Sequence, residues 1–103
     1  MKEFKNKVAV ITGGANGIGL ALAKEAFNRE MKVVIADIDE KALKNAEKEL
    51  KDLGADFLSL VMDVTKYEDM EMLAEKSVEK YGDIDIFFNN AGVVVGGDIW
   101  DLP

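Results

Sequence analysis

Short, unbroken apolar runs alternate along this chain with stretches that are apolar on one side only. That alternation constrains the fold more than any other feature. The runs are Val8-Ala9-Val10-Ile11, then Val33-Val34-Ile35 within residues 31–36, then residues 57–62 and 84–88. Lacking polar alternation, they suit strands buried on both faces of a parallel sheet. Between them lie three helical patterns. Ile18, Leu22 and Ala26 fall at four-residue steps in a stretch reaching about Arg29. Leu43, Ala46, Leu50 and Leu53 follow at steps of 3, 4 and 3. Met70, Leu73, Ala74, Ser77, Val78 and Tyr81 share the third helical face. Asp39 is placed to cap the second helix and Gly54 to end it in a left-handed conformation. Thr65-Lys66-Tyr67-Glu68 matches a capping box for the third, which stops at Gly82. Residues 93–103 look too short and too glycine-rich to complete another element.

The pattern therefore predicts an α/β fold: a doubly wound parallel sheet with right-handed crossovers. It is a half-fold of four strands in order 3-2-1-4 with three crossover helices. At 103 residues and 49% hydrophobic composition the chain is expected to form a single domain over 1–103 with one modest core. There are no internal repeats, linkers or low-complexity segments.

Composition removes several functions. Thirteen basic against 20 acidic residues give a net charge of −7, a surface that repels phosphate backbones, so no nucleic-acid partner is expected. Without cysteine or histidine there is no disulfide, no thiolate chemistry, and no use of the commonest general base and transition-metal ligand; no metal site is expected. No run of about 18 apolar residues exists to span a membrane. Lys2, Lys5 and Lys7 before an apolar stretch reaching Ala23 faintly resemble a secretory signal, but Glu3 and the interrupting glycines spoil the pattern. A cytoplasmic setting is expected.

Thr12-Gly13-Gly14-Ala15-Asn16-Gly17-Ile18-Gly19 joins the first strand to the first helix. A phosphate reaches the open amides of a helix N-terminus only where no side chain intervenes, which explains glycine in this place. The spacing is G-x-x-x-G-x-G and not the general G-x-G-x-x-G. Asp37, 18 residues after Gly19, ends the second strand, where a carboxylate accepts hydrogen bonds from an adenosine ribose. Neither Asn16 nor Ile38 offers a cation to a 2′-phosphate, and Asp37 would repel one, so NAD is expected over NADP. Asp63, followed by Val64, ends the third strand, within reach of an adenine edge in the crevice that such sheets form at their strand ends.

Taken together with Asn89-Asn90-Ala91-Gly92 after the fourth strand, these stretches make the chain resemble the short-chain dehydrogenase/reductase family, whose domain is Rossmann-like. The resemblance spans essentially all 103 residues, and the glycine spacing here is the one that family uses. It implies that Gly13, Gly14, Asn16, Gly17, Ile18 and Gly19 wrap the dinucleotide pyrophosphate, that Asp37 and Ile38 meet the adenosine ribose, and that Asp63 and Val64 meet adenine. The backbone of Asn90, Ala91 and Gly92 would line the nicotinamide-side ribose, and Asn89 would brace the sheet. The family's catalytic Tyr-x-x-x-Lys and upstream serine lie beyond the fourth strand. Here Tyr67 is followed four places on by Glu71 and Tyr81 by Asp85, and neither Ser59 nor Ser77 stands at the catalytic position. The resemblance thus implies the nucleotide-binding portion of an oxidoreductase, truncated before its catalytic segment, with no catalytic residue and no turnover of its own.

Two other readings compete. A methyltransferase-like domain binding S-adenosylmethionine also places a glycine loop after its first strand, but not this spacing or the Asn-Asn-Ala-Gly turn. A non-catalytic half-fold that assembles with itself is compatible with nucleotide binding. Self-association into a homo-oligomer is expected in either case, because the fourth strand would present an open edge and one sheet face would carry a single helix.

Overall fold

The computed structural model describes residues 4–15 and 17–89, together with the backbone of 92–95. Its elements are β1 (Val8–Thr12), α1 (Gly17–Asn28), β2 (Lys32–Asp37), α2 (Glu40–Asp52), β3 (Phe57–Val61), α3 (Tyr67–Tyr81), β4 (Ile86–Asn89) and β5 (Gly92–Val95). They form one sheet in the order β3-β2-β1-β4-β5. The first four strands are parallel, with Val10 opposite both Val34 and Phe87, and Val34 opposite Leu58. The doubly wound order 3-2-1-4 with three helices is therefore present.

Alternation along the buried strands sorts their side chains to two faces. Ala9, Ile11, Val33 and Ile35 pack with Ala23 and Ala26 of α1 and Leu43, Ala46 and Leu50 of α2. Val8, Val10, Val34, Ala36 and Phe87 pack on the other face with Leu73 of α3. The start of β1 is tied down by Asp85, whose carboxylate accepts from the Val8 amide at 2.8 Å while its own amide donates to the Val8 carbonyl at 2.9 Å.

Several expectations need correction. Ile18 does not share the buried face of α1; it is 81% exposed, and Gly19, Ala23 and Ala26 face the sheet instead. The helix has to approach β1 through a residue without a side chain, which rotates Ile18 outward. Leu53 is the C-cap of α2 and Val78 lies on the outer side of α3, and both are exposed. Gly54 and Gly82 do adopt the left-handed conformation, with φ of 80° and 86°. Thr65 does not cap α3. The N-cap is Lys66, without a side-chain cap hydrogen bond, and the Thr65 hydroxyl turns back to Asp63.

The fourth strand is not left with an open edge. Gly92–Val95 forms β5, antiparallel to β4, with Phe87 opposite Val94 and Asn89 opposite Gly92. The residues that looked too glycine-rich to build an element thus include three consecutive valines that pair along β4. Valine favours extended backbone, and local antiparallel pairing of adjacent segments needs only a short connection.

Candidate functional site

The carboxyl ends of the parallel strands converge on one cleft of about 350 Å³, at the point where strand order reverses between β1 and β4. It is lined by Thr12 and Gly13 after β1, Asp37 and Ile38 after β2, and Met62, Asp63 and Val64 after β3. Met70 of α3 and Phe87 and Asn89 of β4 complete it.

The glycines of the first loop do different work. Gly13 takes φ of 68° and Gly17 φ of 52°, both left-handed and favourable to glycine. A β-carbon on Gly19 would stand 2.0 Å from the Gly13 carbonyl oxygen, and one on Gly14 would stand 2.9 Å from the Ile35 β-carbon. These two positions let α1 press against the loop and the loop against the sheet. At Gly17 a β-carbon would meet nothing within 4 Å, so the space at the start of α1 is open. The amides of Gly13 and Gly14 are not available to a ligand, since both donate to the Ala36 carbonyl, at 2.7 and 3.2 Å. The amides of the first turn of α1 have no partner within the helix.

Asp37 is held at both carboxylate oxygens. Oδ2 accepts from the Ala15 amide at 3.2 Å and Oδ1 from the Asp39 amide at 3.0 Å. Each oxygen keeps a further lone pair, so the carboxylate is fixed without being used up. Asp39 also caps α2, its Oδ1 accepting from the Ala42 amide at 3.0 Å, as expected from the sequence. Ala15 is a site residue that sequence reasoning passed over, because its contribution is a backbone amide with no side-chain signature.

Asp63 lies across the cleft. Its Oδ1 accepts from the Thr65 hydroxyl at 2.7 Å and the Thr65 amide at 2.9 Å, and these two bonds hold its carboxyl below the usual carboxylate range. The Asp63 amide donates to Asp69 Oδ2 at 2.8 Å. Ile38 and Val64 stand at the rim, 66% and 51% exposed, an unusual pair of open apolar side chains beside a polar cleft. Asp37, Ile38, Asp63 and Val64 are thus brought to one cleft with Gly13. Gly14, Gly17, Ile18 and Gly19 stand in the adjoining loop and helix start. Asn16, Asn90 and Ala91 lie outside the described residues, and Gly92 belongs to β5.

An open helix start with left-handed Gly17, a fixed carboxylate at Asp37 20 residues after it, and an apolar rim are features a dinucleotide site uses. The model of the short chain dehydrogenase family matches residues 7–103, and the chain belongs to that family. A CLA biosynthesis dehydrogenase/reductase of Lactiplantibacillus plantarum is 47% identical over all of this chain and 36% of the relative's length. A 1-deoxy-11-beta-hydroxypentalenate dehydrogenase of Streptomyces exfoliatus is 41% identical, across 98% of this chain and 38% of its own length. Among solved structures, a short chain dehydrogenase/reductase from Burkholderia phymatum in complex with NAD superposes with a TM-score of 0.84 at 40% identity, covering 100% of this chain and 37% of that one. The chain therefore spans less than two-fifths of the length of these relatives. Membership of this family does not favour the methyltransferase-like alternative. Among the described residues no helix is long and apolar enough to cross a membrane.

Proposed function

We propose that this chain is the NAD-binding portion of a short-chain oxidoreductase. The observation that carries the proposal is the Asp37 carboxylate, locked by the Ala15 and Asp39 amides at the mouth of the cleft. A ribose with free 2′- and 3′-hydroxyls donates to such a carboxylate, whereas a 2′-phosphate is repelled by it, and Ile38 offers no cation in compensation. The first turn of α1 receives the pyrophosphate over Gly17, and Ile38 and Val64 close on the two faces of adenine while Asp63 meets its edge. Asn90, Ala91 and Gly92 line the nicotinamide-side ribose.

When bound, the dinucleotide supplies a hydride acceptor or donor. The residues here bind and orient it, and none of the 103 supplies the tyrosine–lysine pair that handles the proton in this family. Alcohol or carbonyl chemistry belongs to the longer arrangement seen in the relatives. We further infer a cytoplasmic setting and self-association through the sheet face that, among the described residues, carries α3 alone, where Leu58, Leu60 and Ile84 are only partly buried. Amide shift mapping of the chain titrated with NAD tests the site. Changes are expected at Gly17–Gly19, Asp37, Asp63 and Val64, and changes confined to the opposite end of the sheet would overturn the assignment.

A further inference from the structure

Asp63 is held on one side only, and Thr65 and Asp69, which hold it, do not line the cleft. Thr65 engages only Oδ1, through both its hydroxyl and its amide. Asp69, in the first turn of α3, holds the Asp63 backbone amide through Oδ2. The Asp63 carbonyl in turn accepts from the Lys66 amide at 3.1 Å. Among the described residues no donor reaches Asp63 Oδ2. The side chain is thus fixed in direction, with one oxygen spent and one left over on a residue that lines the cleft.

We propose that Thr65 and Asp69 are positioning residues that give the cleft its preference for adenine over a 6-oxopurine. The inference rests on the reading that Asp63 meets the adenine edge. A carboxylate only accepts hydrogen bonds. The 6-amino group of adenine donates to it, and the 6-oxo group of hypoxanthine meets it with a second acceptor. That difference discriminates only if the carboxylate cannot turn away from the oxo group, because a mobile side chain would escape the repulsion and meet water instead. The Thr65 bonds also hold Asp63 in its charged form to lower pH than an ordinary carboxylate, which keeps it acceptor-only.

The test compares NAD with its deaminated analogue, in which hypoxanthine replaces adenine, by titration calorimetry on the full chain. A charge-assisted hydrogen bond lost at a partly exposed site predicts a preference for NAD of about tenfold in the unaltered protein. Thr65→Val removes one of the two bonds to Oδ1 and is expected to lower the ratio to about threefold, and Thr65→Ser to restore it. Thr65→Val combined with Asp69→Ala should bring the two dinucleotides to near-equal affinity. A merely structural role would weaken both dinucleotides alike and leave the ratio unchanged. Asp63→Asn, whose amide can donate to a 6-oxo group, should move the ratio toward the analogue. If Asp63→Asn shifts the ratio while the Thr65 and Asp69 variants leave it at its original value, the positioning role is refuted and the adenine contact stands. If Asp63→Asn leaves the ratio unmoved, the adenine contact itself is refuted.

Discussion

Gly19 and Glu30 show how single positions decide local geometry in opposite ways. A side chain at Gly19 has no direction to yield in, since the nearest atom is the Gly13 backbone oxygen at 2.0 Å. Gly19→Ala must part the loop from α1, and we expect a loss of about 3 kcal/mol in chemical denaturation together with weakened NAD binding. Glu30 holds φ of 63° just after α1, where the Met31 amide reaches back to the Ala26 carbonyl at 3.0 Å. This is the left-handed residue that ends many helices, and glutamate adopts it at a cost. Glu30→Gly is expected to raise stability by about 0.5–1 kcal/mol, the relief of the left-handed strain less the entropy of a freer unfolded chain. The glycines were legible in the sequence because their spacing and their place after an apolar run carry the meaning. Ala15 and Glu30 were not, since backbone amides and backbone dihedrals have no residue-type signature there.

The elements are joined at their ends by polar groups as much as by their apolar faces. Tyr81, the last residue of α3, donates to Asp56 Oδ1 at 2.9 Å just before β3, and Lys32 at the start of β2 binds Asp56 Oδ2 at 3.4 Å. Burial, with the Asp56 hydrogen bond and charge adding to it, pushes the Tyr81 hydroxyl far above its usual range. A group whose proton is held more tightly in the folded state stabilises fully below its unfolded value, and that contribution disappears as pH rises toward the folded one. Stability should therefore decline from about pH 10 upward, and Tyr81→Phe should flatten this decline, as read from urea midpoints across that window. Strand runs and helix stripes were legible because burial imposes periodicity. The start of α3 was misplaced by one residue because Thr65 and Glu68 carry the capping-box spacing, while the observed N-cap is Lys66. The hydroxyl went to Asp63 two residues back, a local bond that competes with capping.

At the scale of the whole molecule, right-handed crossovers give the order 3-2-1-4 once α1 and α2 lie on one face of the sheet and α3 on the other. That order was legible without any knowledge of the site. The hairpin β4–β5 was not. Glycines at 92, 96 and 97 suggested a loop, while the valines between them pair with β4 at a separation of only a few residues. Among the described residues one face of the sheet carries α3 alone, and sedimentation at tens of micromolar is expected to show a dimer or larger species; a clean monomer would remove self-association from the proposal. A purified 103-residue chain of verified mass is expected to give no steady NADH formation over a panel of alcohols, because neither Tyr67 nor Tyr81 stands in the Tyr-x-x-x-Lys pattern that handles the substrate proton in this family.

The central claim is that a fixed carboxylate at position 37 selects a dinucleotide without a 2′-phosphate. Titration calorimetry with NAD and NADP, on the unaltered chain and on Asp37→Ala, tests it most directly. The predicted result is tighter binding of NAD than NADP, with Asp37→Ala costing NAD about 10–100-fold in affinity, equivalent to the roughly 1.5–3 kcal/mol of an ionised hydrogen bond, and strengthening NADP binding as the repulsion of its 2′-phosphate is removed. Equal or tighter binding of NADP by the unaltered chain would contradict it.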